Sequence, residues 1–288
     1  MTVEMRSWAT LFDAMVLQAM PFLVFGVVLS ALVVTAVPSR VRGWVLARPV
    51  VLAIPMGAVC GMVVPGCECA TVPVASRLSQ RGVPFAAALS FALASPALNP
   101  IVLLATATAF AGHPEMVLAR LLASMLAVLI VSSYIAAMGL HPLPTRASTH
   151  EPHGTTVLGR AVDAAQHDLL HTIGVVVIGA AAAATLRVFV PSAWLDHFSQ
   201  HLTTAIPTMG VLAVLLSLCS EADAFVAASF VLFPPVAVLT FMVVGPLVDI
   251  RLFLMYRTAF GTKIACAIAG LAFGAALTAA FLIGSFLL

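Results

Sequence analysis

The chain has 288 residues, of which 62% are hydrophobic and only 8% are charged, whereas soluble proteins average about 25% charged residues. This composition excludes a soluble domain and predicts a protein embedded in a lipid bilayer. The net charge of +2 excludes a nucleic-acid-binding protein, and the five cysteines do not form the pattern of a secreted disulfide framework.

Apolar runs separated by prolines, glycines and charged residues predict an all-α polytopic membrane protein of about ten helical segments. Five segments fall in residues 1–139 and five in residues 159–288, with a polar, cytoplasmic linker predicted at residues 140–158. The short segments near 67–80 and 219–233 cannot cross about 30 Å of hydrocarbon as straight helices, so they are expected to be broken or re-entrant. In chain order the segments lie near 11–37, 49–66, 67–80, 83–111, 116–139, 160–190, 205–218, 219–233, 234–258 and 263–287.

The two halves are also related in sequence. An Ala-Ile-Pro tripeptide ends 12 residues before Cys67, and another ends 12 residues before Cys219. Asn99 matches Asp249 at an offset of 150 residues, against 152 for the two cysteines. This regularity predicts an internal duplication with a small insertion or deletion.

The arginines, which are scattered at helix ends, predict opposite orientations for the two halves. The first loop holds three arginines and is expected in the cytoplasm, whereas its counterpart at residues 187–204 has one arginine at its edge. Opposite sidedness requires an odd number of crossings in each half, which gives a repeat of inverted topology. The three arginines of the first loop are Arg40, Arg42 and Arg48.

The first candidate site is Cys67-Glu68-Cys69, which follows a Pro-Gly pair and precedes Pro73. Side chains two residues apart point about 200° away from each other in a helix, but they share one side of unwound backbone. The flanking prolines therefore predict that the helix is broken at both cysteines. Thiolates in such an arrangement bind zinc, copper(I) or trivalent metalloids.

The second candidate site is Cys219-Ser220-Glu221-Ala222-Asp223, where three reactive side chains alternate with small ones. An ionisable group at the bilayer centre costs about 2.5–3.5 kcal/mol, so these acids are expected to face a cavity, an ion or one another. In the alternative interpretation, the cysteines are small buried residues and the acids close helix ends. The predicted metal ligands are Cys67, Cys69, Cys219 and Glu221, and the acids predicted to supply charge for a cation or for coupled protons are Glu68, Glu221 and Asp223.

Asn99 and Asp249 stand in matching proline-interrupted segments and are predicted to line the substrate path. Proline frees backbone carbonyls within a helix, and paired interruptions in the two halves are typical of a transporter's binding site. Alternatively, both side chains satisfy the backbone at a kink, or Asp249 forms an ion pair with Arg251 or Arg257.

Together these motifs resemble the bacterial predicted-permease family that includes organoarsenical efflux permeases. The resemblance rests on Cys-x-Cys-Ala-x-x-Pro at 67–73, Ser-Pro-Ala-Leu-Asn-Pro at 95–100 and Cys-Ser-Glu-Ala-Asp-Ala-Phe at 219–225. The last block is similar to the two-component branch, which implies a small membrane-anchored partner subunit. Where many relatives have a small residue between the first two cysteines, this chain has Glu68, so a metal cation is as plausible a cargo as a neutral organoarsenical.

The sequence thus predicts a permease of the bacterial cytoplasmic (inner) membrane that exports a thiophilic metal or metalloid by alternating access. No cofactor is expected apart from the cargo itself, and no enzyme is predicted because nucleotide and hydrolase motifs are missing. The expected partners are the lipid bilayer, the cargo, a partner subunit and a second copy of the chain. Two alternatives are a membrane thiol–disulfide redox protein using Cys67 and Cys69 and a non-transporting assembly subunit.

Overall fold

The structure is a computed structural model that describes residues 5–14, 49–64, 68–140 and 202–288, with single helical positions between 16 and 24 and between 173 and 185. At Glu68, Cys69 and residues 202–203 the description is limited to the backbone. Throughout these ranges the regular structure is α-helical, which confirms the predicted all-α class.

Residues 5–14 are helical, and ten further helices are described in two stretches of the chain, 49–140 (without residues 65–67) and 202–288. The first stretch contains α1 (Val50–Val63), α2 (Glu68–Gln80), α3 (Phe85–Leu98), α4 (Pro100–Ala109) and α5 (Pro114–Ala137). The second contains α6 (Leu202–Leu216), α7 (Asp223–Ala228), α8 (Pro235–Val244), α9 (Ile250–Phe260) and α10 (Thr262–Leu287).

Three helical stretches of the described chain are long and apolar enough to cross a membrane: Phe85–Ala109, which comprises α3 and α4, and the single helices α5 and α10. In a bilayer each backbone N–H and C=O must find a partner inside the protein, and continuous helices provide those partners. The chain is therefore a multi-pass membrane protein.

Several sequence predictions fall outside the described residues. These are the segment near 160–190 apart from single positions, most of the segment near 11–37, almost all of the linker at 140–158, and the loop with Arg40, Arg42 and Arg48. The division into halves and their inverted orientation therefore remain predictions.

In the segments near 219–233 and 234–258, the helices are shorter than the apolar runs, in agreement with the breaks predicted at residues 219–223 and at Asp249. The first contains only α7, whose six residues extend about 9 Å and cannot cross the membrane. The second is divided into α8 and α9 by the turn that ends at Asp249. Pro234 and Pro235 explain part of the difference, because proline begins a new helix more readily than it continues one.

The prediction of broken backbone at both cysteines of the first motif is wrong for Cys69. Helix α2 begins at Glu68, so Cys69 is helical, whereas Cys67 lies outside the described residues. Pro73 lies within α2 and does not end it. The shared side expected for the two thiols therefore does not follow from the backbone at Cys69.

The helices of the two stretches pack in matching pairs. Helix α3 contacts α1, α2 and α5, and its counterpart α8 contacts α6, α7 and α10. Between the stretches, α5 packs on α10, while α4 contacts α7 and α2 contacts α9. This matched order agrees with the offset of about 150 residues in the sequence.

Hydroxyl groups provide hydrogen bonds that prolines remove from the buried helices. Pro96 lies inside α3 and has no N–H to donate to the carbonyl of Ala92. The hydroxyl of Thr71 in α2 donates to this carbonyl at 3.2 Å instead. Ser90 donates to the carbonyl of Ile54 at 2.9 Å, a carbonyl that no proline frees, so side chains join α1 and α2 to the central α3.

We expect Gly61→Ala to destabilise the contact between α1 and α3. A Cβ at Gly61 would lie 2.5 Å from the Phe91 carbonyl oxygen and 3.0 Å from the Ala94 Cβ, and overpacking of this kind costs about 1–3 kcal/mol. Unfolding in detergent measures the effect. Gly270→Ala is the matched control, since nothing lies within 4 Å of its added Cβ. Equal stability of the two variants would contradict the close packing of α1 on α3.

Candidate functional site

Two polar residues cap the helices that begin at matching breaks. The Oδ1 atom of Asn99 accepts a hydrogen bond from the Ile101 N–H at 2.9 Å, at the start of α4. The Oδ1 atom of Asp249 accepts one from the Leu252 N–H, at the start of α9. Both residues are buried. Each therefore satisfies a backbone donor that would otherwise be unpaired at a buried helix start.

Asp249 also forms the ion pair with Arg251 that the sequence analysis gave as an alternative role. Its Oδ2 atom accepts hydrogen bonds from Nε and a terminal nitrogen of Arg251 at 3.2 and 3.1 Å. Asn99 and Asp249 thus match the alternative in which they satisfy a helix break. Their predicted part in lining a substrate path remains a prediction.

Between α6 and α7 the chain is non-helical, and the second candidate motif lies there. Ser217 has a φ of +44°, in the left-handed region that is unfavourable for a residue with a side chain. Its hydroxyl donates to the Val214 carbonyl at 2.8 Å. The carbonyl of Cys219 then accepts from the N–H groups of Ala222 and Asp223 at 2.9 and 3.0 Å. These bonds close a compact turn before α7.

The turn brings the thiol of Cys219 and the carboxylate of Glu221 together. The Sγ atom donates to Oε2 at 2.6 Å, and both side chains are partly buried. The sequence analysis expected residues two apart to share one side of unwound backbone, and at this motif they do. A soft sulfur donor and a hard oxygen donor are therefore available at one place.

Asp223 has a different partner, Arg120 of α5. A terminal nitrogen of Arg120 lies 2.8 Å from Asp223 Oδ2, and the two side chains are 0% and 2% exposed. The guanidinium also donates to the Thr106 hydroxyl at 2.8 Å and to the Ser220 carbonyl at 3.3 Å. One arginine therefore connects α4, α5 and the turn before α7.

The sequence analysis missed Arg120 because it placed the arginines at helix ends. Arg120 is the seventh residue of the 24-residue helix α5 and is fully buried. Its sequence signal is a lone charge inside an apolar run, since a charge in such a position is rare and normally has a partner. That partner lies 103 residues away, which one sequence does not reveal.

The buried ion pair is not completely satisfied. Arg120 Nε and Asp223 Oδ1 are buried, and neither atom has a hydrogen-bond partner among the described residues. A buried pair contributes little net stability because desolvation offsets its attraction, yet loss of one partner costs about 3–5 kcal/mol. Loss of either Arg120 or Asp223 is therefore expected to destabilise the connection between α5 and α7.

The predicted metal ligands are only partly described. Among described residues, no group of three or more His, Cys, Asp and Glu side chains is close enough to hold a metal ion. Cys219 and Glu221 form a pair, while Cys67 and the side chains of Glu68 and Cys69 lie outside the description. The metal assignment therefore stays a prediction that needs ligands from the first motif.

Comparison with known proteins agrees with this membrane architecture. A protein of Streptococcus mutans, provisionally named as a two-component membrane permease complex subunit, is 30% identical over 265 residues, covering 88% of this chain and 87% of its own. The UPF0718 protein YcgR of Bacillus subtilis is 33% identical over 258 residues, covering 87% and 88%. No solved structure is significantly similar.

The family comparison covers almost the whole chain. Residues 4–285 match the model of a family described as "Predicted permease". The matched span includes nine of these helices completely, all but the last two residues of α10, the buried Arg120–Asp223 pair and both cysteine motifs. The chain therefore belongs to this permease family and is a multi-pass membrane permease.

Proposed function

We propose that this permease moves a thiophilic metal ion or metalloid across the bacterial cytoplasmic membrane, in the direction of export. The observation that carries the proposal is the 2.6 Å contact between the Cys219 thiol and the Glu221 carboxylate. It lies in a turn between apolar helices, where an ionisable side chain is costly unless it has a function. Sulfur favours soft cargo, and the carboxylate adds affinity for a positive charge.

The other ligands of the proposed site come from the first cysteine motif. Cys67 and Cys69 would add two sulfur donors to the site. With Cys219 they would supply three sulfur ligands for a trivalent metalloid, and Glu221 would complete four ligands for a tetrahedral metal ion. Glu68 and Asp223 would supply further charge for a cation or for coupled protons. Asn99 and Asp249, at the matching helix breaks, would line the path beside the site.

Alternating access is proposed as the mechanism. The contacts between α4 and α7 and between α2 and α9 support it, because each contact joins helices from different halves of the chain. Rocking of one half against the other would open the site to one side of the membrane and then to the other. An inverted repeat would make the two open states structurally similar.

A partner subunit is part of the proposal. The Streptococcus mutans relative is provisionally named as a subunit of a two-component complex, and we infer a corresponding small membrane-anchored partner for this chain. A second copy of the chain is a further possible partner. Purification of the tagged permease from its native membrane, followed by identification of the proteins in stoichiometric amount, tests this part.

The test of the cargo is an accumulation screen with zinc, cadmium, copper, arsenite and methylated arsenicals in cells that express the permease. We expect the cell content of at least one species to fall, and Cys219→Ser to remove at least four-fifths of that fall. Cys266→Ser is the matched control, because this thiol lies on the exposed face of α10. An unchanged content of every species, or equal activity of the two variants, would contradict the proposal.

The same variants separate transport from thiol–disulfide chemistry. A redox protein that cycles Cys67 and Cys69 needs those two thiols, but it does not need Cys219. If transport uses a shared site, Cys219→Ser should instead lose transport to the same extent as Cys67→Ser. If every cysteine variant keeps the cellular effect of the wild type, an assembly subunit becomes the better interpretation.

A further inference from the structure

We propose that Arg120 is a positioning residue of the transport cycle. In the arrangement seen here it holds the turn at residues 217–222 against α4 and α5, and it releases Asp223 when the path at Cys219 and Glu221 opens. The inference rests on the proposed function, because it takes this turn to be part of the substrate site. It adds a residue that none of the sequence motifs contains.

The contacts of the guanidinium support this role. They join side chains of α4 and α5 to the turn and to the first residue of α7, through Thr106, the Ser220 carbonyl and Asp223. Ser220 lies between the two members of the Cys219–Glu221 pair. Movement of the guanidinium therefore changes the position of the backbone that carries the proposed site.

The Arg120–Asp223 ion pair belongs to the contact between α4 and α7, and this contact has a matching one between α9 and α2. Helix α4 contacts α7, and α9 contacts α2 in the corresponding way. The residues that match Asp223 and Arg120 at sequence offsets of 152 and 150 are Thr71 and Gly270, which carry no charge. The Arg120–Asp223 pair therefore has no counterpart at these two matched positions, and it is the element that controls opening at the α4–α7 contact.

The pair is also built so that water can separate it. Arg120 Nε and Asp223 Oδ1 are buried, and no group of the described residues forms a hydrogen bond with either atom, so water that enters can pair with both. The loss of the direct ion pair on opening is thereby partly offset. A Cβ added at Gly245 would lie 3.6 Å from Asp223 Oδ2, in van der Waals contact, so the glycine keeps this side of the carboxylate free of a side chain.

The Arg120–Asp223 pair thus acts as a latch. While the ion pair is intact, it fixes the turn at residues 217–222. Once water separates the two charges, the turn can move with its half of the protein. Buried ion pairs are weak contributors to stability but can specify one arrangement among several. A latch of this kind predicts that loss of both charges leaves the protein folded while the turn opens more often.

The experiment measures how fast N-ethylmaleimide modifies Cys219 in the full-length permease, without cargo, by mass spectrometry of the digested protein. The main variant, Arg120→Met with Asp223→Leu, removes both charges. Thr106→Val removes one contact of the guanidinium and keeps the ion pair, and Arg120→Lys keeps the charge but loses the planar fork. Cys266 in the same samples is the internal control thiol.

We expect the rate at Cys219 to rise about twofold in Thr106→Val, more in Arg120→Lys and at least fivefold in the doubly neutral variant, with Cys266 unchanged. A merely structural role would raise both thiols together. Equal Cys219 rates in the wild type and all three variants would overturn the proposal. Because no cargo is present, failure of the latch and failure of the metal screen are separate results.

Discussion

Arg120→Met is expected to lower the free energy of unfolding by about 3–5 kcal/mol, which makes it one of the most destabilising single changes in the described chain. The variant leaves the Asp223 carboxylate buried without its cation, and it also removes donors from Thr106 and the Ser220 carbonyl. Asp223→Asn should lose a similar amount, because the buried guanidinium then lacks its counter-charge. Unfolding of the purified protein in detergent measures both.

The doubly neutral variant, Arg120→Met with Asp223→Leu, should lose far less stability than the sum of the single variants. Replacement of a buried pair by apolar side chains of similar volume is often neutral or stabilising. The expected coupling is therefore several kcal/mol in a double-mutant cycle.

His113 and Glu115 form the matched control for this cycle. Their N–O distance is also 2.8 Å, but their side chains are 67% and 42% exposed. Water screens an exposed pair, so Glu115→Gln should leave stability almost unchanged. A cost for Arg120→Met as small as that of Glu115→Gln would show that the buried pair is absent in the membrane-embedded protein.

Asp249→Ala should have the second-largest effect, a loss of about 2–4 kcal/mol. The change removes the cap of α9 and also the carboxylate that pairs with the buried Arg251. Asn99→Ala removes only a cap and should cost about 1 kcal/mol. The free energies of unfolding of the two variants, measured in detergent, test whether Asp249→Ala is the less stable one.

Asp249→Asn separates the two roles of Asp249. It keeps an oxygen that can cap α9 but loses the negative charge, so its stability should lie between those of the wild type and Asp249→Ala. If Asp249→Asn is as stable as the wild type, the ion pair with Arg251 contributes nothing. If it equals Asp249→Ala, the cap contributes nothing.

The membrane helices could be predicted closely from the sequence. Segments predicted at 116–139 and 263–287 correspond to α5 (Pro114–Ala137) and α10 (Thr262–Leu287). The reason is physical, because lipid offers no hydrogen bonds and a long apolar run has few alternatives to a helix. The break at Asn99 was also predictable, since Pro96 and Pro100 interrupt the backbone pattern on both sides of it.

The parts that failed depend on tertiary contacts or on short polar segments. The bounds of α7 could not be predicted because a six-residue helix between turns has no periodicity to read. The backbone at Cys69 was predicted to be unwound because Pro73 was taken as a helix breaker, whereas α2 includes both residues. Arg120 was missed because its ion pair with Asp223 is set by the packing of α5 near α7.

The most direct test of the account is flux of cadmium or arsenite across the membrane of proteoliposomes that contain the purified permease. The account predicts saturable flux of at least one of these species, its loss in Cys219→Ser and its retention in Cys266→Ser. Flux no faster than in protein-free liposomes, or equal flux in the two variants, would contradict the claim that this permease moves thiophilic cargo through the site at Cys219 and Glu221.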